Sequence, residues 1–327
     1  MKQMEVNKFL AKLLKNNLVY STVRQDNGVF VEQVDTVDQV DWSGDIPVNT
    51  FKSVFLPKKE ELFESKGDKF VKSPKSDKQK VVWGVNVLDL QAFTLFEHVF
   101  EKDIYYQERR QNMFVVGFTN GIEDDFRKYK VFHQKYEEDV LEHLSFDVFI
   151  EKQKNGNLLF FSGSEKGQKL LDENGVKDYE NIEFAGLVPE GGMNPLIGQN
   201  KDAVMNNPDH PMWDELAEIC MACGKCSINC PTCFCFDQQD EISLNGVKKT
   251  RQWASCFYPE FSKMAGGHKD LDTVKKKLYF WYYHKFVRIP DELNYYGCVS
   301  CMRCFKTCPV GINIVKNLTQ LKKKDKG

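Results

Sequence analysis

The sequence predicts an α+β protein, a mixed α/β half followed by a half dominated by metal ligands. Three observations predict it. All eleven cysteines lie at or after Cys220. Before that point, apolar runs and helical spacing alternate as strand-to-helix units do. After it, CMACGKCSINCP (220–231) and CVSCMRCFKTCP (298–309) repeat one C-x2-C-x2-C-x3-C-P spacing.

The opening segment sets Val6, Phe9, Leu10, Leu13, Leu14 and Leu18 at helical spacing with Lys8, Lys12 and Lys15 between them. It reads as an amphipathic helix packed on its own domain, and its lysines argue against a secretory leader. Between Lys58 and Lys80, lysines recur among Ser, Pro, Asp and Glu. That predicts a mobile exposed loop, with Lys69, Lys72 and Lys75 as a candidate patch for an acidic partner. VVWGVNVL (81–88) reads as a buried strand, Asp89 as an N-cap, and the helix that follows turns Leu90, Phe93 and Phe100 inward. MFVVGF (113–118) is a further strand. FDVFIEK (146–152) alternates Phe146, Val148 and Ile150 on one face, and Asn155-Gly156 predicts a hairpin into LLFFSG. A mixed α/β scaffold or docking domain is thus expected over 1–190.

Residues 191–211 are rich in Gly, Pro and Asn with little periodicity, which predicts a surface linker. From 212 to 327 a mainly helical domain is expected. HPMWDELAEI leads into the first motif as a short helix, DTVKKKLYFWYYHKF (272–286) is an aromatic second, and NIVKNLTQLKKK a third. Trp253, Trp281 and Tyr283 read as core or shielding rather than as an electron path.

The repeated spacing points to two 4Fe-4S clusters in a ferredoxin-like arrangement. Three cysteines two residues apart supply three thiolates, and the fourth comes from the other motif. The predicted ligands are Cys220, Cys223, Cys226 and Cys308 for one cluster, and Cys298, Cys301, Cys304 and Cys230 for the other. Pro231 and Pro309 end each run because proline cannot extend a helix. Structural zinc is the bland alternative, but it wants four ligands where these runs offer eight. With every motif cysteine committed, no iron is left open to substrate, so electron transfer is expected rather than catalysis and no catalytic residue is assigned. Cys233, Cys235 and Cys256 remain. They read as buried packing, or as a third metal site with His268 as a possible fourth ligand. His284 reads as packed or surface.

The bulk composition is neutral on partners. A net charge of -2 disfavours a nucleic-acid binder, and no run approaches the eighteen or so apolar residues of a membrane span. There is no G-x-G-x-x-G after a strand and no P-loop signature. Cysteines kept for metal are expected in a reducing cytoplasm.

Longer stretches carry a resemblance. HPMWDE ahead of the first motif, CPTCFC (230–235), RQWASC (251–256), FSKMAGGH (261–268) and CPVGINI (308–314) resemble the beta subunit of cytoplasmic nickel-iron hydrogenases (sulfhydrogenases), and equally the iron-sulphur subunit of anaerobic sulfite reductase. FLPKKEELFE (55–64) and GVNVLDLQA (84–92) are similar more loosely. The resemblance implies a non-catalytic iron-sulphur subunit. It would relay single electrons between a catalytic unit, nickel-iron or sirohaem, and an FAD/NAD(P)H-binding subunit. A structural or sensory iron-sulphur module is the reading from another class. The relatives place cysteines where this chain has Leu88 and Asn120, and a pair where it has IEDDFRKYK (122–130). That departure implies an N-terminal domain without its own cluster.

Overall fold

The computed structural model describes residues 3–67, 69–72, 78–132, 136–188, 192, 194–244 and 246–323. The first half runs α1 (Gln3–Asn16), β1 (Leu18–Gln25), β2 (Gly28–Val34), α2 (Lys52–Phe55), β3 (Lys59–Lys66), β4 (Lys69–Lys72), β5 (Lys80–Val85), α3 (Val87–Val99), α4 (Ile104–Gln111), β6 (Met113–Thr119), α5 (Ile122–Lys128), β7 (Val148–Lys152), β8 (Leu158–Ser162), α6 (Glu165–Glu173) and β9 (Glu180–Asn181). The second half runs α7 (Pro195–Met205), α8 (Met212–Ile219), α9 (Lys225–Ile228), β10 (Phe236–Ser243), β11 (Gly246–Trp253), α10 (Val274–Tyr283), a π-helical turn at His284–Arg288, α11 (Ile289–Leu293), α12 (Arg303–Lys306) and α13 (Ile314–Leu321). Among the described residues no helix is long and apolar enough to cross a membrane.

The larger sheet has the order β2-β1-β5-β6-β7-β8-β9. Strands β1, β5, β6 and β7 run parallel, and hairpins add β2 and β8 antiparallel. Helices cover both faces, as a parallel sheet requires. On one side Val6, Phe9, Leu10 and Leu13 of α1 and Leu170 and Leu171 of α6 pack on Val81, Trp83, Val116, Val148 and Ile150. On the other, Phe93 and Phe96 of α3 and Phe126 of α5 pack on Val82, Val85, Val115 and Phe149. Val82 and Val85 share a face although three residues apart, because Gly84 takes φ +75° and shifts the register between Trp83 and Val85. The expected face of Phe146, Val148 and Ile150 is split. The strand begins only at Val148, and Phe146 joins Phe149 in the opposite layer.

The N-cap of α3 is Asn86, not Asp89: the Asn86 side chain accepts from the Asp89 N–H at 3.0 Å. Asp89, one turn in, turns its carboxylate elsewhere.

The lysine-rich segment after Lys58 is not a loop throughout. β3 and β4 belong to a second, antiparallel sheet of order β10-β11-β3-β4. Its lysines find carboxylates on other strands of the sheet, with Lys248–Glu61 at 2.9 Å between the neighbours β11 and β3 and Lys59–Glu241 at 2.5 Å between β3 and β10. Such exposed cross-strand pairs look like loop composition in one dimension. Lys72 is paired with Glu108 and Lys69 lies exposed on β4, while Lys75 falls outside the described residues. The sheet draws strands from both halves of the chain, so the cysteine-bearing half is not purely helical. The expected linker likewise contains α7, capped by Asn194 with Pro195 in its first turn, and its Ile197, Asn200, Ala203 and Val204 are buried.

Two buried cations also cross between the halves. Lys52 Nζ donates to the carbonyls of Ile228, Cys230 and Cys233 at 2.9, 3.1 and 3.2 Å and lies 4.1 Å from the centre of the Trp253 ring. Arg303 donates from both terminal nitrogens to Asp89, each at 2.7 Å, and from Nε to the Pro47 carbonyl at 2.8 Å. Both side chains of the ion pair are at most 2% exposed. Removing one partner of such a pair strands the other charge in low dielectric. Asp89→Asn is expected to cost about 3–5 kcal/mol, read as a lowered denaturation midpoint; a midpoint equal to that of the parent would deny the pair its part in joining the halves.

Candidate metal centre

The two cysteine runs fold alike. In the first, Ala222 and Gly224 take left-handed φ values of 50° and 73°; in the second, Ser300 and Met302 take 59° and 58° at the matching positions. Only glycine adopts such angles without cost, so three of the four residues hold a strained backbone. The strain turns the chain sharply between successive cysteines. It also brings the N–H of Ala222 to the sulfur of Cys220 and that of Ser300 to the sulfur of Cys298. Each loop then enters a one-turn helix, α9 or α12, carrying Cys226 or Cys304. A tight turn follows, closed by Cys230 N–H to Ser227 O and Cys308 N–H to Phe305 O, both 3.2 Å. The last cysteine of each run thereby leaves its own loop.

Where it goes decides the site. One cavity is lined by Cys220, Cys223, Cys226 and Cys308, and a smaller one by Cys230, Cys298, Cys301 and Cys304. Each cavity thus draws cysteines from both runs, and the larger has Cys304 as a fifth. Cys304 and Trp281 line both cavities and form their shared wall. Among the described residues no three Cys, His, Asp or Glu side chains close on the position of a single ion. The thiols stand back along cavity walls, and all eleven are free of disulfides.

Residues 219–312 match the family described as a 4Fe-4S dicluster domain. The chain carries a 4Fe-4S dicluster domain. It is also similar to the sulfhydrogenase 2 subunit beta of Pyrococcus furiosus, 27% identical over 330 residues that cover 96% of this chain and 95% of that protein. The likeness to an iron-sulphur hydrogenase beta subunit thus extends over nearly the whole chain. No solved structure matches it.

The walls of the dicluster domain fit 4Fe-4S clusters chemically. Burial pushes the Cys298 thiol up to about 12 and raises those of Cys226 and Cys304, so without metal these sulfurs keep their protons. Metal binding would displace those protons. Cys230 goes the other way. The Cys233 thiol donates to it, which outweighs burial, and Lys285 and Thr232 add to the effect. Trp281 supplies a second sign: its indole N–H is buried in the shared wall without a hydrogen-bond partner. A sulfur in either cavity would accept from it.

The two cavities differ in exposure. Around the larger, Cys223 and Met221 are exposed and Val310 is 37% exposed, whereas Cys230 and Cys301 of the smaller are buried. We refer to them as the outer and inner cavities.

The third thiol group does not gather with His268. Cys256 is buried beside Phe257 and Trp281, while Cys233 and Cys235 are half-buried next to Cys230 and Lys52. His268 sits on the surface, its ring 3.1 Å from the Asp270 carboxylate. Of the aromatic residues, Trp253 donates to the Leu56 carbonyl at 3.0 Å and Tyr283 packs against Tyr279. Leu88 is packed with Ala92, Val299 and Cys301, backed by Ile46, Tyr129 and Val131. Asn120 Nδ2 donates to the carbonyls of Trp42 and Ser43. Apolar and amide groups therefore stand where the resemblance placed cysteines.

Sequence reasoning missed Lys52, Lys285 and Arg303. A lysine or arginine in one dimension reads as solvated, and nothing local marks these three as buried.

His284 is packed, stacked on Phe280 at 5.9 Å and set edgewise to Phe234 at 6.0 Å. Burial, helped by Lys285 and Arg288, lowers its pKa from 6.5 to about 4. Between those values the unfolded chain binds the extra proton, so stability is complete above pH 6.5 and falls as pH drops towards 4. At 1.36 kcal/mol per unit the loss is at most about 3 kcal/mol, less for a ring only partly buried. His284→Phe should flatten the stability-against-pH curve across this window, measured by denaturant titration; an unaltered slope would assign the acid sensitivity to other groups.

Proposed function

We propose that the protein is the electron-transfer subunit of a cytoplasmic, hydrogenase-type complex. It holds two 4Fe-4S clusters and relays single electrons between a nickel-iron catalytic unit and an FAD/NAD(P)H-binding subunit. Cys220, Cys223, Cys226 and Cys308 hold the outer cluster, and Cys298, Cys301, Cys304 and Cys230 the inner. The observation that carries this reading is the pair of adjoining cavities, each walled by the first three cysteines of one run and the last of the other, with Cys304 shared between them. The likeness to a sulfhydrogenase beta subunit over 96% of the chain supports the setting. In this reading the domain at 212–327 bears the clusters, and residues 1–190 are its scaffold and docking surface.

Such a cluster exchanges one electron with little change of shape, at a potential tuned by charge, exposure and hydrogen bonds to sulfur. The chain's own contribution is positional. The strained loops aim three thiolates, the tight turns deliver the fourth, and Trp281 and Phe132 keep water from the inner cavity. Met221 and Val310 leave the outer one at the surface, where a partner can approach.

Anaerobic purification with native partners, mass spectrometry of the copurifying chains and EPR during dithionite reduction test the reading. A flavoprotein, a nickel-iron pair, about eight irons and two coupled S = 1/2 signals are expected. A sirohaem partner would move the assignment to sulfite reduction, and zinc with no EPR signal would overturn it. Cys230→Ser and Cys308→Ser should each lower the iron content by about four per chain, the content of one cluster, while Cys235→Ala keeps it. Iron loss in the last variant would point instead to a site that includes Cys235.

A further inference from the structure

Lys285 lies in the π-helical turn that follows α10, and it is 3% exposed. Its Nζ donates to Cys230 Sγ at 3.2 Å, to Thr232 Oγ1 at 2.9 Å and to the Gly297 carbonyl at 2.7 Å. Thr232 Oγ1 in turn donates to the same Gly297 carbonyl at 2.8 Å. None of the three acceptors is a carboxylate. The approach is close: a Cβ at Gly297 would come within 1.9 Å of the Lys285 carbonyl oxygen, so only glycine admits the turn here. Widened π turns inside helices recur at functional positions.

A buried ammonium costs several kcal/mol unless an anion is at hand. The other cations near the inner cavity are differently placed. Arg303 is neutralised by Asp89, and Lys52 binds backbone carbonyls rather than sulfur. Lys225, on the wall of the outer cavity, is exposed and so screened by solvent. Lys285 alone among these four brings a buried, carboxylate-free charge to a cysteine sulfur.

We propose that Lys285 tunes the relay: its fixed positive charge on Cys230 raises the reduction potential of the inner cluster and leaves that of the outer cluster nearly untouched, so that the two are electronically unequal. The inference rests on the two-cluster reading above. A reduced cluster carries one more negative charge than an oxidised one, and a fixed cation on its ligand favours the reduced state. Lys285 is a positioning residue, acting through Cys230.

The test is an EPR-monitored redox titration of the purified, iron-loaded chain and of Lys285→Met and Lys285→Arg. In Lys285→Met one of the two midpoints should fall so that the reduced fraction of that cluster shifts at least tenfold, which is 59 mV for one electron. The other midpoint should stay, and Lys285→Arg should restore most of the shift. Two unmoved midpoints with full iron content would overturn the proposal while leaving the two-cluster reading intact. A parent protein without two 4Fe-4S signals would overturn that reading itself. Should Lys285→Met not load iron, Thr232→Val decides the matter. It removes one anchor of the ammonium without touching the charge, and it should lower the same midpoint by less; no shift there would overturn the proposal.

Discussion

Cys230 and Cys308 each complete the wall of a cavity begun by the other run, and the rest of the domain follows from that exchange. Three cysteines on one loop can be aimed by local backbone geometry alone. The fourth cannot, because its loop lies about seventy residues away, so two distant turns must be held in register to within a bond length. The structure meets this with packing. α8, α10 and α13 bury Trp213, Tyr282, Leu318 and Leu321 in one cluster behind the loops, and Cys220, Cys226, Cys298 and Cys304 lie against it. Ala222, Ser300 and Met302 hold φ values that cost of order 1–3 kcal/mol each, and such a conformation persists only where its surroundings over-determine it.

The N-terminal half takes part in that over-determination. A parallel sheet offers the ends of its strands as mounting points, and β5 passes through Asn86 into α3 so that Asp89 faces Arg303 of the second run. Lys52, at the start of α2, gathers two carbonyls from the end of the first run and one just beyond it. β3 accepts β11 as a sheet neighbour, and Glu60 binds Arg251 at 2.7 Å across that seam. These contacts are polar, specific and largely buried, which suits a junction that must fix geometry more than gain free energy. The first half is thus a frame that holds the cysteine-bearing half in place.

How legible all this was depends on the range over which each feature is encoded. The gathering of cysteines from both runs was readable because the C-x2-C-x2-C-x3-C-P spacing is a local code whose chemistry admits few solutions. The strand at 113–118, the opening helix and the Asn155-Gly156 hairpin were readable for the same reason, since period and turn chemistry are local. The second sheet was not. β3 and β11 lie nearly two hundred residues apart, and their lysines and glutamates carry the composition of a loop until they are set opposite one another. α7 was hidden by its Asn and Gly, with the apolar face of Ile197, Ala203 and Val204 too sparse to register as a period. Asp89 was mistaken for a cap because Asn86, three residues earlier, carries an equally good side chain.

The least legible feature is the most informative about the site. Lys52, Lys285 and Arg303 converge on the segments that wall the inner cavity, and only Arg303 has a carboxylate partner. Burial lowers Lys52 to about 8, whereas at Lys285 burial is outweighed by the neighbouring Cys230 and Cys233 sulfurs and the ammonium is held well above the usual lysine range. In the proposed reading, four thiolates drawn into the inner cavity by metal would add net negative charge in the place where the cations point. Charge would then couple the loading of the cavity to the closure of the fold around it, as expected where ligands must lose protons to bind metal. The same charges make the inner and outer cavities inequivalent: one is sealed among fixed cations and the other is open to water. Two clusters held there would meet different surroundings although the cysteine spacings are identical.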